Sequence, residues 1–160
     1  LDEVATVAQK VADNVRSMGF AMSPCVLPGV GKPGFTLGDD EIEVGMGIHG
    51  EPGVERTNMK SAKEIAKILV DKILADYDFT DSEVALMVNG LGGSPLMELY
   101  IIENDVRNYL DEKGIKVYRT YVGNFMTSLE MMGCSVSLLK LDDELKTLLD
   151  APCSTPALKQ

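Results

Sequence analysis

The stretch VALMVNGLGGSPLMELYIIENDVRNYLDEKGIKVYRTYV, residues 84–122, carries the clearest fold signal in the chain. It begins with a short apolar run, 84–88, whose composition is typical of a strand covered on both faces. A glycine-rich exit at 89–93 leads into a helical segment that ends at Gly114, and a second strand follows at 115–122. This strand–helix–strand order predicts a parallel, right-handed crossover.

Patterns on both sides of this unit predict further helices and strands. An apolar stripe at helical spacing predicts a first helix that Gly19 closes, and a Ser-x-x-Glu capping box at Ser61 predicts the start of another. Asp142 is the predicted N-cap of a last helix at 142–150. The remaining predicted elements are strands at 20–27, 41–48 and 134–141 and a short helix near 127–132. Together they indicate an α/β (α+β) fold, with a mixed sheet flanked by helices in three layers.

Length and composition indicate a globular domain and exclude several classes of partner. The chain has 160 residues, within the roughly 100–200 residues of a typical domain. Fifteen Lys and Arg against 25 Asp and Glu give a formal net charge of −10, which disfavours nucleic acid and anionic membranes as partners. No apolar run approaches the ~20 residues that cross a bilayer, so we expect a soluble protein. Three widely spaced cysteines without a C-x-x-C pair favour a reduced, cytoplasmic location over a zinc or dithiol site.

The glycine-rich exit Asn89–Gly93 is a first candidate for function. Backbone N–H groups at such a helix N-terminus can bind a phosphate, with Ser94 as the predicted N-cap and Pro95 in the first helical position. The stretch lacks a lysine and matches neither common phosphate-binding motif. Close packing between strand and helix also requires glycines, and we favour that interpretation.

A second candidate is Lys32, which lies in the glycine- and proline-rich stretch GKPGF at 31–35. A lysine on a rigid loop could contact a phosphate group. A solvated lysine in a turn is the commoner arrangement, and the sequence favours it here.

The third candidate is the stretch GIHGEPG, residues 47–53, which contains the only histidine of the chain, His49. Its glycine neighbours leave the imidazole ring approachable by a ligand, and Glu51 is close enough in sequence to orient it. A neutral imidazole can act as a base, a metal ligand or a nucleophile. Because no second histidine exists and no cysteine is near in sequence, a metal site is the weakest of these.

Read together, these motifs resemble the dihydroxyacetone (glycerone) kinase K subunit, specifically its C-terminal domain. The resemblance extends over essentially the whole chain, and its most specific part is the histidine stretch in combination with the C-terminal ending. The segments that carry it are 31–35, 45–53, 89–92, 127–131 and 150–158.

The resemblance implies a covalent role for His49. In that family, a histidine nitrogen adds to the C2 carbonyl of dihydroxyacetone and forms a hemiaminal, and the matching histidine here is His49. Glycerol has no carbonyl, cannot form this adduct and is therefore excluded as a substrate. The bond also holds the terminal hydroxyl in position for phosphoryl transfer.

The resemblance also implies partners. Nucleotide and magnesium (Mg) are expected on a separate nucleotide-binding L subunit, with no cofactor in this chain and phosphoenolpyruvate as the ultimate donor in the phosphotransferase-type system. Residues 1–160 correspond to one domain. The subunit's own N-terminal domain, which supplies the hydroxyl contacts and the acid–base aspartate and second histidine, is absent from the chain, and the full-length subunit is expected to be a homodimer.

Two alternatives stay open at this point. The family includes dihydroxyacetone-sensing co-activators of transcription regulators, which bind the ligand in the same way without catalysis. A lipid- or small-ligand-binding domain that shares only the fold is a third possibility.

Overall fold

The computed structural model describes residues 1–48 and 53–160, which form one mixed β-sheet with helices on both faces. The strand order is β3-β2-β1-β6-β4-β5, and the strand pairing is antiparallel except between β4 and β5. This architecture confirms the predicted mixed sheet. The elements are α1 (Asp2–Asn14), β1 (Val15–Ala21), β2 (Glu41–Val44), β3 (Glu55–Asn58), α2 (Ala62–Asp76), β4 (Glu83–Gly90), α3 (Leu96–Glu112), β5 (Lys116–Gly123), β6 (Gly133–Leu141) and α4 (Asp143–Leu149).

The predicted parallel strand–helix–strand unit is present as β4, α3 and β5. Strands β4 and β5 pair in parallel, and Gly114 follows α3 with a φ of +75°, the left-handed backbone that favours glycine. Val84, Leu86 and Val88 point from β4 into the main core and are completely buried. The local signals of this unit were therefore sufficient to predict it.

The two faces of the sheet are covered unequally. Helices α2 and α3 pack over one face and bury the main core. On the other face, α1 and α4 cover only one end, where Val7, Val11 and Leu145 pack against Ala85 and Leu141. The three predicted layers are present, but the second helical layer is partial. A large part of that sheet face is consequently open, and it is called the open face below.

The first strand begins earlier than its sequence predicts. Residues 15–18 were expected in a helix closed by Gly19, but Val15–Ala21 forms β1 and pairs with β6 over seven residue pairs. Gly19 lies within this strand and does not end a helix. A glycine suits the position because a Cβ there would be only 3.2 Å from the carbonyl oxygen of Met46. The expected strand at 20–27 therefore ends at Ala21.

The second strand is shorter than predicted, and the third was not predicted at all. β2 ends at Val44 instead of residue 48, because Gly45 has a φ of +86° and turns the chain away from the sheet. β3 (Glu55–Asn58) has one half-buried residue and three exposed ones. Its composition therefore lacks the alternation that reveals a strand.

Helix starts were predicted with mixed success. The Ser61–Glu64 capping box is present, and the side chain of Asp142 accepts a hydrogen bond from the Leu145 N–H at 2.8 Å. Pro95, not Ser94, is the N-cap of α3, because the Ser94 hydroxyl instead accepts from the Gly133 N–H at 2.8 Å. The prediction of a short helix near 127–132 is wrong, because these residues form turns and an isolated β-bridge.

Among the described residues, no helix combines the length and apolar character required to cross a bilayer.

The three cysteines are free and differ in burial, which predicts different reactivity. Cys134 is 1% exposed, and burial raises the pKa of its thiol to about 12, so almost no reactive thiolate exists at pH 8. Cys153 is only partly buried. We expect a disulfide reagent at pH 8 to modify Cys153 rapidly and Cys134 only after unfolding, measured by absorbance with and without denaturant.

Cys153→Ser should abolish the rapid phase, whereas Cys134→Ser should preserve it. Rapid modification of Cys134 in the folded protein would contradict the burial of its thiol.

Candidate functional site

A groove with a volume of about 580 Å³ lies on the open face of the sheet. Its floor is formed by β1, β6 and β4, and two segments outside the sheet form its walls. The near wall is residues 45–48, and the far wall is Phe125 and Met126. The floor residues are Ser17, Gly19, Met87, Asn89, Ser135 and Ser137.

The near wall exists because the chain leaves the sheet at Gly45 and rejoins it at Val54. The Gly45 N–H donates to the Gly19 carbonyl at 2.7 Å, and the Val54 N–H donates to the Val44 carbonyl at 2.8 Å. A Cβ on Gly45 would be 2.9 Å from the Val54 nitrogen, so glycine is needed where the two ends meet. This point of closure is called the neck below.

Met46 holds the near wall down on the sheet. Its side chain is 5% exposed and packs in a small apolar cluster with Ala21, Cys25, Leu91 and Met131. Ile48 packs against the same cluster and lines the groove. The residue after Ile48 in the sequence is His49, so the groove lies along the chain that leads to the predicted site.

Glu43 supports the neck from β2. Its side chain is 9% exposed, with one carboxylate oxygen accepting from the Gly53 N–H at 2.8 Å and the other from Arg56 at 2.9 Å. The sequence alone does not reveal this residue, because an acidic residue in an alternating strand is usually solvated. The only available signal was its position just before the glycine-rich stretch.

His49 and Glu51 lie outside the described residues. Their flanking residues, Ile48 and Gly53, are described and stand at the groove and the neck respectively. The predicted role of His49 stays a prediction.

The far wall is attached to the floor by Asn89, a 5% exposed residue on β4. Its carboxamide oxygen accepts from the N–H groups of Phe125 and Met126, both at 2.9 Å. Its nitrogen donates to the Met126 carbonyl at 2.8 Å and contacts the Ser135 hydroxyl at 3.4 Å. In the sequence, Asn89 is recognisable only as part of the glycine-rich exit.

The glycines of that exit serve close packing, the interpretation that the sequence favoured. A Cβ on Gly92 would overlap the Leu129 carbonyl oxygen, and one on Gly93 would overlap the Glu130 carbonyl oxygen. Lys32 lies on an exposed loop and is not among the residues that line the groove.

The floor of the groove carries a row of uncharged polar side chains beside Gly19 and Met87, and its walls are mostly apolar. The hydroxyl oxygens of Ser17 and Ser137 are hydrogen-bonded at 2.6 Å, and Ser135 and Asn89 continue the polar row. Within residues 1–48 and 53–160, no cluster of three or more His, Cys, Asp or Glu side chains could hold a metal ion. Such a floor is suited to a small neutral ligand with hydroxyl groups, which needs hydrogen bonds rather than a counter-charge.

The family model and the curated relatives point to the same family. The model of the Dak1 domain matches residues 1–157. Among curated proteins, the dihydroxyacetone-binding subunit DhaK of the PTS-dependent dihydroxyacetone kinase 1 from Listeria innocua is 47% identical over 145 residues. That alignment covers 90% of this chain and 44% of the Listeria subunit, so the chain spans less than half of the relative's length.

Two further relatives extend the range of functions. The L-erythrulose 1-kinase of Mycolicibacterium smegmatis is 40% identical over 165 residues, covering all of this chain and 29% of that enzyme. Among solved structures, the dihydroxyacetone kinase operon co-activator Dha-DhaQ superposes with a TM-score of 0.88 at 35% identity. This match covers 95% of this chain and 48% of the co-activator.

The close approach at Gly92 predicts a large loss of stability on substitution. Gly92 has a φ of +115°, and a side chain there would overlap the backbone of Leu129. We expect Gly92→Ala to lower the free energy of unfolding by about 3 kcal/mol. The matched control is Gly34→Ala, because a Cβ at Gly34 meets no atom within 4 Å, and its effect should stay within about 0.5 kcal/mol. Equal urea midpoints for the two variants would contradict this account of the glycine-rich exit.

Proposed function

This chain belongs to the Dak1 domain family, and we propose that it is the dihydroxyacetone-binding domain of a phosphotransferase-type dihydroxyacetone kinase. The observation that carries the proposal is its 47% identity, over 90% of its length, to a subunit named for binding dihydroxyacetone. The uncharged polar row on the floor of an otherwise apolar groove, beside the segment that leads to His49, supports it, since dihydroxyacetone is small, neutral and rich in hydroxyl groups.

In the proposed reaction, His49 binds the substrate covalently. One imidazole nitrogen forms a bond to C2 of dihydroxyacetone, the carbonyl oxygen takes up a proton and becomes a hydroxyl, and the imidazole loses its N–H proton. The product is a neutral hemiaminal. The bond fixes the terminal hydroxyl relative to the phosphoryl donor, which is the positioning that phosphoryl transfer requires.

We propose that the chain is the C-terminal domain of a two-domain subunit. This proposal is supported by its coverage of 44% of the Listeria relative and 48% of the co-activator structure. The other domain supplies the hydroxyl contacts and the acid–base residues. A separate nucleotide-binding L subunit supplies the phosphoryl group and its magnesium ion, with phosphoenolpyruvate as the ultimate donor.

The proposed substrate class is the short-chain ketoses. The similarity to an L-erythrulose 1-kinase adds a four-carbon ketose to the three-carbon one. Both molecules have a ketone next to a primary hydroxyl, so both can form the same hemiaminal. The proposed subunit is a cytoplasmic homodimer. The free state of all three cysteines supports a reducing compartment.

A second candidate function is ligand sensing without catalysis. It is favoured by the TM-score of 0.88 to the operon co-activator. The kinase is the better supported of the two, because the 47% identity to the kinase subunit exceeds the 35% identity to the co-activator. Sensing and catalysis share the ligand adduct and differ in turnover: a sensor forms the adduct and produces no dihydroxyacetone phosphate with the L subunit present.

Removing His49 should abolish covalent binding. In the full-length subunit, we expect His49→Ala to eliminate the mass shift produced by dihydroxyacetone and to lower kcat/KM roughly 10³-fold, because the substrate loses its covalent positioning. Intact-protein mass spectrometry at low temperature, without borohydride reduction, measures the adduct. Lys32→Ala, on an exposed loop that does not line the groove, is the control and should keep the adduct. An adduct that persists in His49→Ala would contradict the assignment.

The domain alone should not phosphorylate dihydroxyacetone at a substantial rate. Residues 1–160 mixed with the L subunit and phosphoryl donor should produce dihydroxyacetone phosphate at less than about 1% of the full-length rate, because general acid–base catalysis contributes roughly 10²–10⁴-fold. A coupled assay for dihydroxyacetone phosphate measures the rate. Turnover comparable to that of the two-domain subunit would refute the proposed division of labour.

A further inference from the structure

Among the described residues, a single side chain makes the hydrogen bonds to the backbone of the far wall. Phe125 is half-buried, and its ring is edge-on to that of Tyr121, with the ring centroids 6.4 Å apart. Met126 is 61% exposed. Neither residue belongs to one of the buried core clusters. In the part of the chain that the structure describes, the hydrogen bonds of the Phe125 N–H, the Met126 N–H and the Met126 carbonyl all go to Asn89.

Asparagine is chemically suited to this arrangement. Its carboxamide offers an oxygen with two acceptor positions and a nitrogen with two donor hydrogens. At Asn89 the oxygen accepts from two backbone N–H groups, and the nitrogen serves one backbone carbonyl and the Ser135 hydroxyl. An aspartate of the same size would keep the two accepted bonds and lose the donor, whereas alanine would lose all four.

The side chain that holds the wall also stands on a strand that is paired on both sides. Asn89 is on β4, paired with Ser135 of β6 on one side and with Gly123 of β5 on the other. At the next position, a Cβ on Gly90 would overlap the side-chain oxygen of Asn124, so the chain just before the wall also lies directly on β4. The far wall is therefore fixed to an interior strand of the sheet, opposite the wall formed by residues 45–48.

We infer that Asn89 is a positioning residue for the proposed ketose site: by holding Phe125 and Met126 over the floor, it sets the width of the groove and hence the length of ketose accepted. This inference rests on the proposed function. The residue need not touch the substrate, because it acts through the wall. A widened groove should weaken the binding of dihydroxyacetone more than it slows the chemical step, and it should favour the longer ketose.

The test compares kcat and KM for dihydroxyacetone and L-erythrulose in the full-length subunit with its L subunit. We expect Asn89→Ala to raise KM for dihydroxyacetone about tenfold with a smaller change in kcat, since misplacement of a positioning group weakens substrate alignment. The ratio of kcat/KM for dihydroxyacetone to that for L-erythrulose should fall at least threefold. Asn89→Asp should give an intermediate fall, because it keeps both accepted N–H bonds.

Ser94→Ala is the matched control for a merely structural effect. Ser94 is also 5% exposed and accepts one backbone hydrogen bond, but it lines a separate groove between α2 and α3. This variant should lower the thermal midpoint and leave the ketose ratio unchanged. If Asn89→Ala does not fold, the ratio measured for Asn89→Asp decides.

An unchanged ratio in the folded Asn89 variants would overturn the inference, and so would an equal shift in Ser94→Ala. Both results leave the proposed function intact, provided that the wild-type subunit forms the dihydroxyacetone adduct. A wild-type subunit that binds neither ketose would instead refute the proposed function, together with the inference that rests on it.

Discussion

The antiparallel pairing of β1 with β6 is the interaction on which the rest of the structure depends. It joins two halves of the sheet, β3-β2-β1 and β6-β4-β5, and each half contributes one wall of the groove. The near wall is continuous with β2, and the far wall follows β5. Seven residue pairs, from Val15 with Leu139 to Ala21 with Gly133, fix the register between the halves. A one-residue slip would turn the polar floor of the groove into the main core.

Glycines make this central pairing possible. A side chain on Gly133 would overlap the Phe20 carbonyl oxygen, and one on Gly19 would crowd the carbonyl oxygens of Met46 and Cys134. These residues let the near wall and the start of β6 approach β1 closely. The cost of such glycines is a more flexible unfolded chain. Burial of large apolar residues such as Phe20 and Leu138 in the main core offsets it.

The sequence predicted the parts of the fold whose signals are local. The crossover from β4 to β5 has an apolar run, a glycine-rich exit and a terminal Gly114 within forty residues, and all of these agree. Gly19 was predicted to end a helix, which is wrong. The neighbour that constrains it is the carbonyl of Met46, 27 positions further along the chain, and such a distant contact leaves no local signal. β3 could not be predicted from its composition, because it forms a strand through its pairing with β2. In the site, the histidine stretch was recognisable as a motif, whereas Asn89 acts on residues 36 and 37 positions away.

The neck has a consequence for the pairing of β2 with β3. The chain leaves the sheet at Gly45 and returns at Val54, and these two residues are in contact, so the ladder between β2 and β3 continues directly below them. The register between β2 and β3 is therefore set by this closure and the ladder below it, independently of the length of the intervening stretch, while Met46 ties the start of that stretch to the apolar cluster on the sheet.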